Sequence, residues 1–236
     1  MRKIKRLGVF TSLWKRHRLS RHVMRHFSRM QIEGVDIIPL AVGSEGQNSA
    51  GTALVCGWDY VEAPNTPLSD KMNAGVSAMA GTVDAVLIIG SDNMLTVETV
   101  EALIDHAERG SQMVYLDDLY YYDSATDKVF YSERSMPGAG MLIQAEVLDR
   151  VDWKPWPNGI DRRLDGQLIN KMIVDAFPCP SQSLKNCRSK GYILVDIKSK
   201  TNMWSVDQMK DMTGRVSQVP LAELTNHFPG IRDILN

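Results

Sequence analysis

The segment Asp84-Ala-Val-Leu-Ile-Ile-Gly-Ser-Asp-Asn93 carries the strongest strand signal in the chain. Its apolar run is continuous and rich in branched side chains, which is typical of a strand buried on both faces in a parallel sheet. The run ends directly in the polar residues Ser91-Asp92-Asn93. Because ligands bind at the carboxyl ends of strands in open α/β sheets, the segment predicts a central strand with a polar site at its end.

Strands and helices are predicted to alternate on both sides of this segment. Arg6 to Leu13 is a predicted buried strand, and Leu19, Val23, Phe27 and Met30 follow it at helical spacing. This alternation indicates a doubly wound, mostly parallel sheet of the Rossmann-like kind. The other elements predicted in this half are a strand at 35–42, a short third strand from Ala53–Cys56 with Tyr60–Val61, helices at 68–80 and 97–109, and a strand at 113–116.

The pattern changes near Tyr120 to a mixed α+β arrangement. A polar surface hairpin is expected first, then a glycine-rich strand, a loop containing tryptophan and proline, a helix and a late strand. No repeat or long linker interrupts the chain, so we expect one domain over residues 1–236, with halves at 1–118 and 119–236. The later elements are predicted at 138–143 for the strand, 164–176 for the helix and 192–197 for the last strand.

Composition narrows the class of protein. The chain has 236 residues, of which 44% are apolar and 23% charged, as in ordinary globular domains. Its three cysteines form no CxxC pair, and no stretch reads as a membrane span or signal peptide, so we expect a cytoplasmic protein with reduced thiols. Residues 1–30 contain ten Lys and Arg and no acid although the net charge is -1. This asymmetry predicts an anionic partner: a nucleotide, a nucleic acid or a lipid surface.

Polar clusters follow three of the predicted strands, where one crevice could collect them. No GxGxxG follows the first strand and no GxxxxGK[ST] occurs, which excludes a dinucleotide-binding Rossmann site and a P-loop. The clusters are Thr11 and Ser12 with Lys15 and Arg16, then Ser44 and Glu45, then Ser91, Asp92 and Asn93.

The segment 65–75, taken together with 84–93, resembles the GT-A glycosyltransferases, including those of phages and bacteria. In that family a Lys-x-Asn-x-Gly helix precedes a buried strand that ends in an Asp-x-Asp metal motif. Lys71, Asn73 and Gly75 match the helix, and Ser91-Asp92-Asn93 stands at the metal motif with one carboxylate instead of two. Further matches follow in the family's order at Phe10–Arg16, Gly138–Gly140, Trp153–Trp156, Gly159–Asp165 and Asp196–Asn202.

The resemblance implies a single GT-A-like domain that transfers a sugar from a nucleotide sugar, by family habit a uridine diphosphate sugar. Its nucleotide-sugar-binding half is 1–118 and its acceptor-binding half 119–236. Mn²⁺ or Mg²⁺ is expected on Asp92 and Asn93, with diphosphate oxygens and water completing the ligand set. Asp165 is the expected general base if the enzyme inverts the anomeric centre, with Asp161 as its nearest competitor. The residues expected to bind the donor are Thr11, Ser12, Arg16, Glu45, Asn65, Lys71, Asn73, Ser91, Gly140 and Lys198.

The sequence is compatible with more than one kind of acceptor. The basic first helix suits a phosphate backbone, so one hypothesis is a hydroxymethylated base in DNA, with the protein in the host cytoplasm if a phage encodes it. A glycan or small molecule fits equally well. Two other classes of protein remain. One is a sugar nucleotidyltransferase of the same fold, although the glycine-rich basic loop of such enzymes is absent here. The other is a DNA-binding protein without catalytic activity, for which no recognition motif is found.

Overall fold

The computed structural model of the chain describes residues 3–133, 140–161, 164, 181–199, 207–208 and 215–234. The helices in these ranges are α1 (His17–Ser28), α2 (Gln47–Leu54), α3 (Leu68–Ser77), α4 (Val97–Glu108), α5 (Ala145–Asp149) and α6 (Ala222–Thr225). The strands are β1 (Arg6–Ser12), β2 (Asp36–Gly43), β3 (Asp59–Glu62), β4 (Ala85–Ile88), β5 (Asn93–Leu95), β6 (Met113–Leu116), β7 (Leu119–Asp123), β8 (Lys128–Ser132), β9 (Met141–Gln144), β10 (Ser181–Leu184), β11 (Leu194–Lys198) and β12 (Val216–Val219).

The larger sheet has seven strands in the order β10-β6-β9-β4-β1-β2-β3. Neighbouring strands are parallel except where β9 runs antiparallel between β4 and β6. The prediction of a mostly parallel α/β sheet is thereby confirmed, with the glycine-led strand of the second half inserted into it. Strands β1, β2 and β4 end side by side, so their carboxyl ends share one edge.

Helices cover both faces of this sheet. Leu19, Val23 and Phe27 of α1 belong to one apolar core, whereas Val76 of α3 packs on the opposite face with Phe10 of β1. Gly75 permits that close packing, because a β carbon at this position would collide with the ring of Phe10. The glycine of the Lys-x-Asn-x-Gly segment therefore fixes how closely α3 approaches β1.

The second sheet has five strands in the order β12-β8-β7-β11-β5. The predicted hairpin exists as β7 and β8, but its expected position on the surface was wrong. Tyr120, Tyr121 and Tyr122 are all buried at 3% exposure or less. Two of these tyrosines can be buried because their hydroxyls have hydrogen-bond partners. Tyr120 donates to Glu223 at 3.0 Å, and Tyr122 donates to Asp127 at 3.0 Å.

The predicted third strand was wrong in its first part. Ala53 belongs to α2 and Cys56 to the turn after it, and only residues 59–62 form a strand. Ser49, Thr52, Ala53 and Cys56 are the buried residues, a helical spacing, while Leu54 and Val55 are 65% and 62% exposed. The apolar run Ala53–Cys56 was therefore not one side of a strand but the end of a half-buried helix.

Some predicted elements fall outside the described residues. Of the predicted helix at 164–176 only Leu164 is described, and Gly138 and Ala139 of the glycine-rich strand are not. Within the described ranges, no helix is long and apolar enough to cross a membrane.

Candidate functional site

A cleft of about 400 Å³ opens at the carboxyl ends of β1 and β4. Its size lies in the range of small-molecule sites. The strand ends contribute Ser12 and the stretch 88–91, and the loop before α3 contributes Asn65. Other wall residues are Trp14, Arg16, Thr66, Leu68, Met72, Met141, Trp156, Asp161 and Leu164. The walls are mostly apolar, with polar side chains both at the strand ends and on the adjoining turns and loops.

Lys71 joins three segments beneath this cleft. Its ammonium donates to the Leu13 carbonyl at 2.7 Å, to Ser44 Oγ at 3.0 Å and to Asn65 Oδ1 at 3.2 Å. Burial lowers the pKa of Lys71 to about 8, and the charges of Glu45 and Glu62 act in the opposite direction. Since an ammonium has three N–H groups, Lys71 fixes the ends of β1 and β2 and the position of Asn65.

Arg16 brings a cation to the end of β4. Its guanidinium forms an ion pair with Asp92 Oδ2 and donates to Ser91 Oγ at 3.1 Å. The Arg16 and Asp92 side chains are 22% and 13% exposed, so much of the pair is shielded from water. These three predicted site residues are thus brought together.

Asn93, predicted as a metal ligand, is turned towards the backbone. Its Oδ1 accepts from the Gly90 amide at 2.7 Å, and the side chain is 3% exposed. A β carbon at Gly90 would collide with both the Asp92 carboxylate and the Asn93 carboxamide. The absence of a side chain at Gly90 therefore permits this turn, in which the amide oxygen of Asn93 accepts a backbone hydrogen bond.

A second carboxylate comes from the distant strand β11. Asp196 lies opposite Asn93 in the antiparallel β5–β11 pair, where the Ile197 amide donates to the Asp92 carbonyl at 2.8 Å. Asp196 Oδ2 accepts from Lys198 at 2.6 Å, whereas its buried Oδ1 has no hydrogen-bond partner in the part of the chain that the structure describes. Burial raises the pKa of Asp196 to about 6; Lys198 opposes this shift and Asp92 adds to it.

Lys198 is brought to the site as the sequence predicts, but Asp196 is not among the predicted site residues. Asp196 falls within the segment Asp196–Asn202 that resembles the family, but no role is expected of it there. Its position depends on a pairing between residues about a hundred positions apart, which leaves no local sequence signal. Alternation within β11 does place Asp196 and Lys198 on the same face, and that pattern could have indicated the pair.

Three other predicted donor-binding residues, Thr11, Glu45 and Asn73, are not part of the cleft wall. Thr11 is fully buried on the face of β1 opposite to Ser12, towards α1. Glu45 Oε2 accepts from the Lys15 amide at 2.6 Å and lies 3.1 Å from His17 Nε2, holding the turn in which Lys15 has a φ of 62°. Asn73 binds the Trp156 backbone twice, donating to its carbonyl at 2.9 Å and accepting from its amide at 3.1 Å.

Of the remaining predicted site residues, Asp161 lines the cleft and Gly140 lies beside it. Gly140, with a φ of 69°, donates its amide to the Ile88 carbonyl at 3.0 Å and directly precedes β9 beside the cleft. Asp161 lines the cleft, and its Oδ1 accepts from the Leu68 amide at 2.8 Å, at the first residue of α3. Asp165 lies outside the described residues.

The cluster Arg16, Asp92, Asp196 and Lys198 contains two cations and two carboxylates. The described residues contain no group of three His, Cys, Asp or Glu that could by itself hold a metal ion. The Asp196 carboxylate, whose Oδ1 has no partner among the described residues and whose pKa is raised by the charge of Asp92, nevertheless fits a divalent ion that takes most of its ligands from a bound diphosphate and water.

Comparison with known proteins supports the GT-A-like fold that the sequence predicts. No family model matches the chain, and no curated protein matches its sequence. Among solved structures, Staphylococcus aureus TarS is 11% identical with a TM-score of 0.57, covering 81% of this chain and 60% of its own. The mannosyltransferase PcManGT from Pyrobaculum calidifontis, in complex with GDP-Man and Mn²⁺, is 10% identical with a TM-score of 0.61, covering 85% of this chain and 59% of its own.

A third similar structure is the glucosyl-3-phosphoglycerate synthase of Mycobacterium tuberculosis with Mn²⁺, uridine diphosphate and glucosyl-3-phosphoglycerate. It is 14% identical with a TM-score of 0.56, and the match covers 94% of this chain and 80% of that one. The chain spans about three fifths of the length of the first two structures. The predicted single GT-A-like domain is confirmed: this chain has the fold of the nucleotide-sugar glycosyltransferases.

Proposed function

We propose that this protein is a glycosyltransferase that moves a sugar from a nucleoside diphosphate donor to an acceptor hydroxyl. The observation that supports it most is the cluster of Arg16, Asp92, Asp196 and Lys198 at the strand ends of a GT-A fold. Departure of a nucleoside diphosphate builds negative charge on phosphate oxygens, and fixed cations in a shielded site stabilise that charge.

The donor is proposed to be a uridine diphosphate sugar. TarS has been solved with UDP-GlcNAc and the mycobacterial synthase with uridine diphosphate, whereas PcManGT holds GDP-Man, so the base is part of the proposal. Ser12 and Asn65 are proposed to bind the nucleoside, and Arg16, Ser91 and Lys198 the diphosphate. Lys71 acts beneath the cleft by holding Asn65 and Ser44 in place.

A divalent metal, Mn²⁺ or Mg²⁺, is proposed as the cofactor. Asp92 and Asp196 would hold it, with Asn93 acting through the backbone turn rather than as a ligand. Bound there, the ion would supply Lewis-acid stabilisation of the leaving diphosphate. Lys198, which contacts Asp196 at 2.6 Å, keeps that buried carboxylate charged and available.

The acceptor side is proposed to lie in residues 119–236, with the donor half in 1–118. Asp165 remains the proposed general base of an inverting reaction. Asp161 caps the start of α3 through the Leu68 amide and is the weaker choice. A cytoplasmic location is also proposed, consistent with the buried free thiols of Cys56 and Cys187.

The acceptor is proposed to be a hydroxyl on a hydroxymethylated base in DNA. Arg18, Arg21, Arg25 and Arg29 are all exposed, and their spacing of three and four residues sets them along one side of α1. Because α1 begins directly after Arg16, this basic surface starts at the cleft. Binding to duplex DNA that weakens steeply with added salt would support it; no binding at low salt would remove it.

Donor binding is the direct test of the function. A panel of nucleotide sugars is added to the protein with Mn²⁺ or with EDTA, and thermal stabilisation is recorded. A donor present at a hundred times its dissociation constant stabilises the native state by about 2.7 kcal/mol. We expect one donor to stabilise the wild type with Mn²⁺ and to lose most of this effect in Asp92→Asn. Lack of response to every donor would exclude the proposed function.

A further inference from the structure

The Asp92 carboxylate, which the proposed metal needs, already has a cation of its own. Arg16 forms an ion pair with Asp92 Oδ2 and also donates to Ser91 Oγ at 3.1 Å, so its guanidinium contacts two of the three residues of the Ser91–Asn93 turn. Two contacts from a rigid planar guanidinium in a partly desolvated site make a stronger pair than a surface salt bridge. An entering metal ion must therefore compete with Arg16.

The third residue of the turn, Asn93, uses its amide oxygen in a backbone hydrogen bond. Asn93 Oδ1 accepts from the Gly90 amide at 2.7 Å, and giving up that bond would leave a buried backbone donor unpaired. Across the β5–β11 pair, Asp196 Oδ1 has no hydrogen-bond partner among the described residues, and Asp196 Oδ2 holds Lys198. A metal ion that displaces Arg16 thus gains the Asp92 carboxylate as a ligand, with the Oδ1 of Asp196 as a second one.

Arg16 can leave Asp92 without the backbone moving. The turn that carries it is anchored, because Glu45 accepts from the Lys15 amide at 2.6 Å and lies 3.1 Å from His17. In the part of the chain that the structure describes, the hydrogen bond and the ion pair of the Arg16 side chain are both made by its guanidinium, and the side chain lines the cleft beside Ser12 and Trp14. A guanidinium released into this cleft would meet the diphosphate of the proposed donor, which it can bind through two hydrogen bonds.

We propose that Arg16 is an internal counter-cation that a divalent metal must displace from Asp92, and that the donor diphosphate favours this exchange by binding the released guanidinium. The displacement of Arg16 by the metal concerns the protein and the metal alone. The part played by the diphosphate rests on the proposed function. Metal therefore binds the free protein weakly, and diphosphate and metal strengthen one another's binding by the same factor.

The test is direct titration of the purified chain with Mn²⁺, in which electron paramagnetic resonance measures the free ion. Arg16→Gln removes the competing charge, and we expect it to bind Mn²⁺ at least about tenfold more tightly than the wild type, the size of one partly shielded charge interaction. Arg109→Gln at the end of α4 is the matched control, because it removes the same charge from an exposed side chain outside the cleft and the basic surface of α1. Its Mn²⁺ affinity should stay within about twofold of wild type, since solvent and salt screen a distant charge.

Arg16→Lys separates charge from shape. It keeps a cation near Asp92, so its Mn²⁺ affinity should stay near that of the wild type, while the two-point contact with Asp92 and Ser91 is lost. Thermal unfolding of each variant verifies the fold, and Arg16→Met serves in place of Arg16→Gln if the latter is unstable. Equal Mn²⁺ affinity of the wild type and the neutral variant, or no Mn²⁺ binding by either, would overturn the inference.

Uridine diphosphate, added in a second titration, distinguishes this inference from the proposed function. We expect it to strengthen Mn²⁺ binding in the wild type more than in Arg16→Gln, because only the wild type has an ion pair to exchange. If the function is wrong, the nucleotide has no effect while the difference between variants without nucleotide persists. If the inference alone is wrong, the nucleotide strengthens Mn²⁺ binding equally in both proteins.

Discussion

Asp196 lies opposite Asn93 in the antiparallel pair β5–β11, and this register brings a carboxylate from the last third of the chain close enough for the charge of Asp92 to raise its pKa. The larger sheet supplies the strand end that carries Asp92, and the second sheet supplies Asp196 with its partner Lys198. The proposed metal site therefore exists only when both sheets have formed.

Replacement of Asp196 with Asn should weaken metal-dependent donor binding. The substitution preserves shape but removes the charge of the carboxylate, so we expect the affinity for Mn²⁺ plus donor to fall by at least about tenfold. The measurement is calorimetric titration of the donor in saturating Mn²⁺. Asp59→Asn at the exposed start of β3 is the matched control and should bind as the wild type does. Wild-type affinity in Asp196→Asn would exclude a role for this carboxylate.

Lys71 should make the free energy of unfolding depend on pH in the alkaline range. Its pKa is about 8 in the folded protein and that of an ordinary lysine when unfolded, so between these values the unfolded state binds more protons. Stability due to this group is therefore constant below about pH 7 and rises above it, by about 2 kcal/mol at pH 9.5.

The measurement is urea unfolding of the wild type and Lys71→Met at several pH values. Subtracting the two curves removes the contribution of the tyrosines and thiols. We expect the wild type to gain stability relative to the variant as the pH rises. A difference that does not change with pH would mean that the Lys71 pKa is not lowered.

Asn73→Ala should reduce stability more than donor affinity. Both hydrogen bonds of the Asn73 side chain to the Trp156 backbone are lost, at a cost of about 2 to 3 kcal/mol. Ser77→Ala, which removes the bond to the Trp153 carbonyl of the same loop, is the comparison. Chemical unfolding and donor titration are measured on both. A large loss of donor affinity with unchanged stability would instead support the expectation that Asn73 binds the donor.

Gly75→Ala should destabilise the protein through a collision. The new methyl group meets the Phe10 ring, and forced repacking in a core typically costs about 1 to 3 kcal/mol. Gly51→Ala in α2 is the matched control, because no atom lies within 4 Å of its added β carbon and alanine favours helix by about 1 kcal/mol. Thermal unfolding should therefore move in opposite directions in the two variants; equal shifts would contradict the packing.

Sequence patterns located the parts of the site that depend on one strand and its end. Asp92, Ser91 and Arg16 follow strands whose apolar runs are long, and parallel neighbours place such ends together. Thr11 and Ser12 differ because successive residues of a strand face opposite sides, a rule that could have excluded Thr11 beforehand.

The parts that could not be predicted depend on partners distant in the chain or on the backbone. Asp196 joins the site through a strand pairing of residues far apart in sequence, and Asn93 is committed to the amide of Gly90. The second sheet likewise buries tyrosines that a polar local context had suggested were on the surface.

Asp92 is proposed to serve the transfer of a sugar from a nucleotide. The most direct test of this role is the rate at which the wild type and Asp92→Asn release nucleoside diphosphate from a panel of nucleotide sugars in Mn²⁺. We expect slow hydrolysis of one donor by the wild type and a loss of at least about a hundredfold in the variant, in line with removal of transition-state stabilisation. No release from any donor, or equal rates in both proteins, would exclude this role of Asp92.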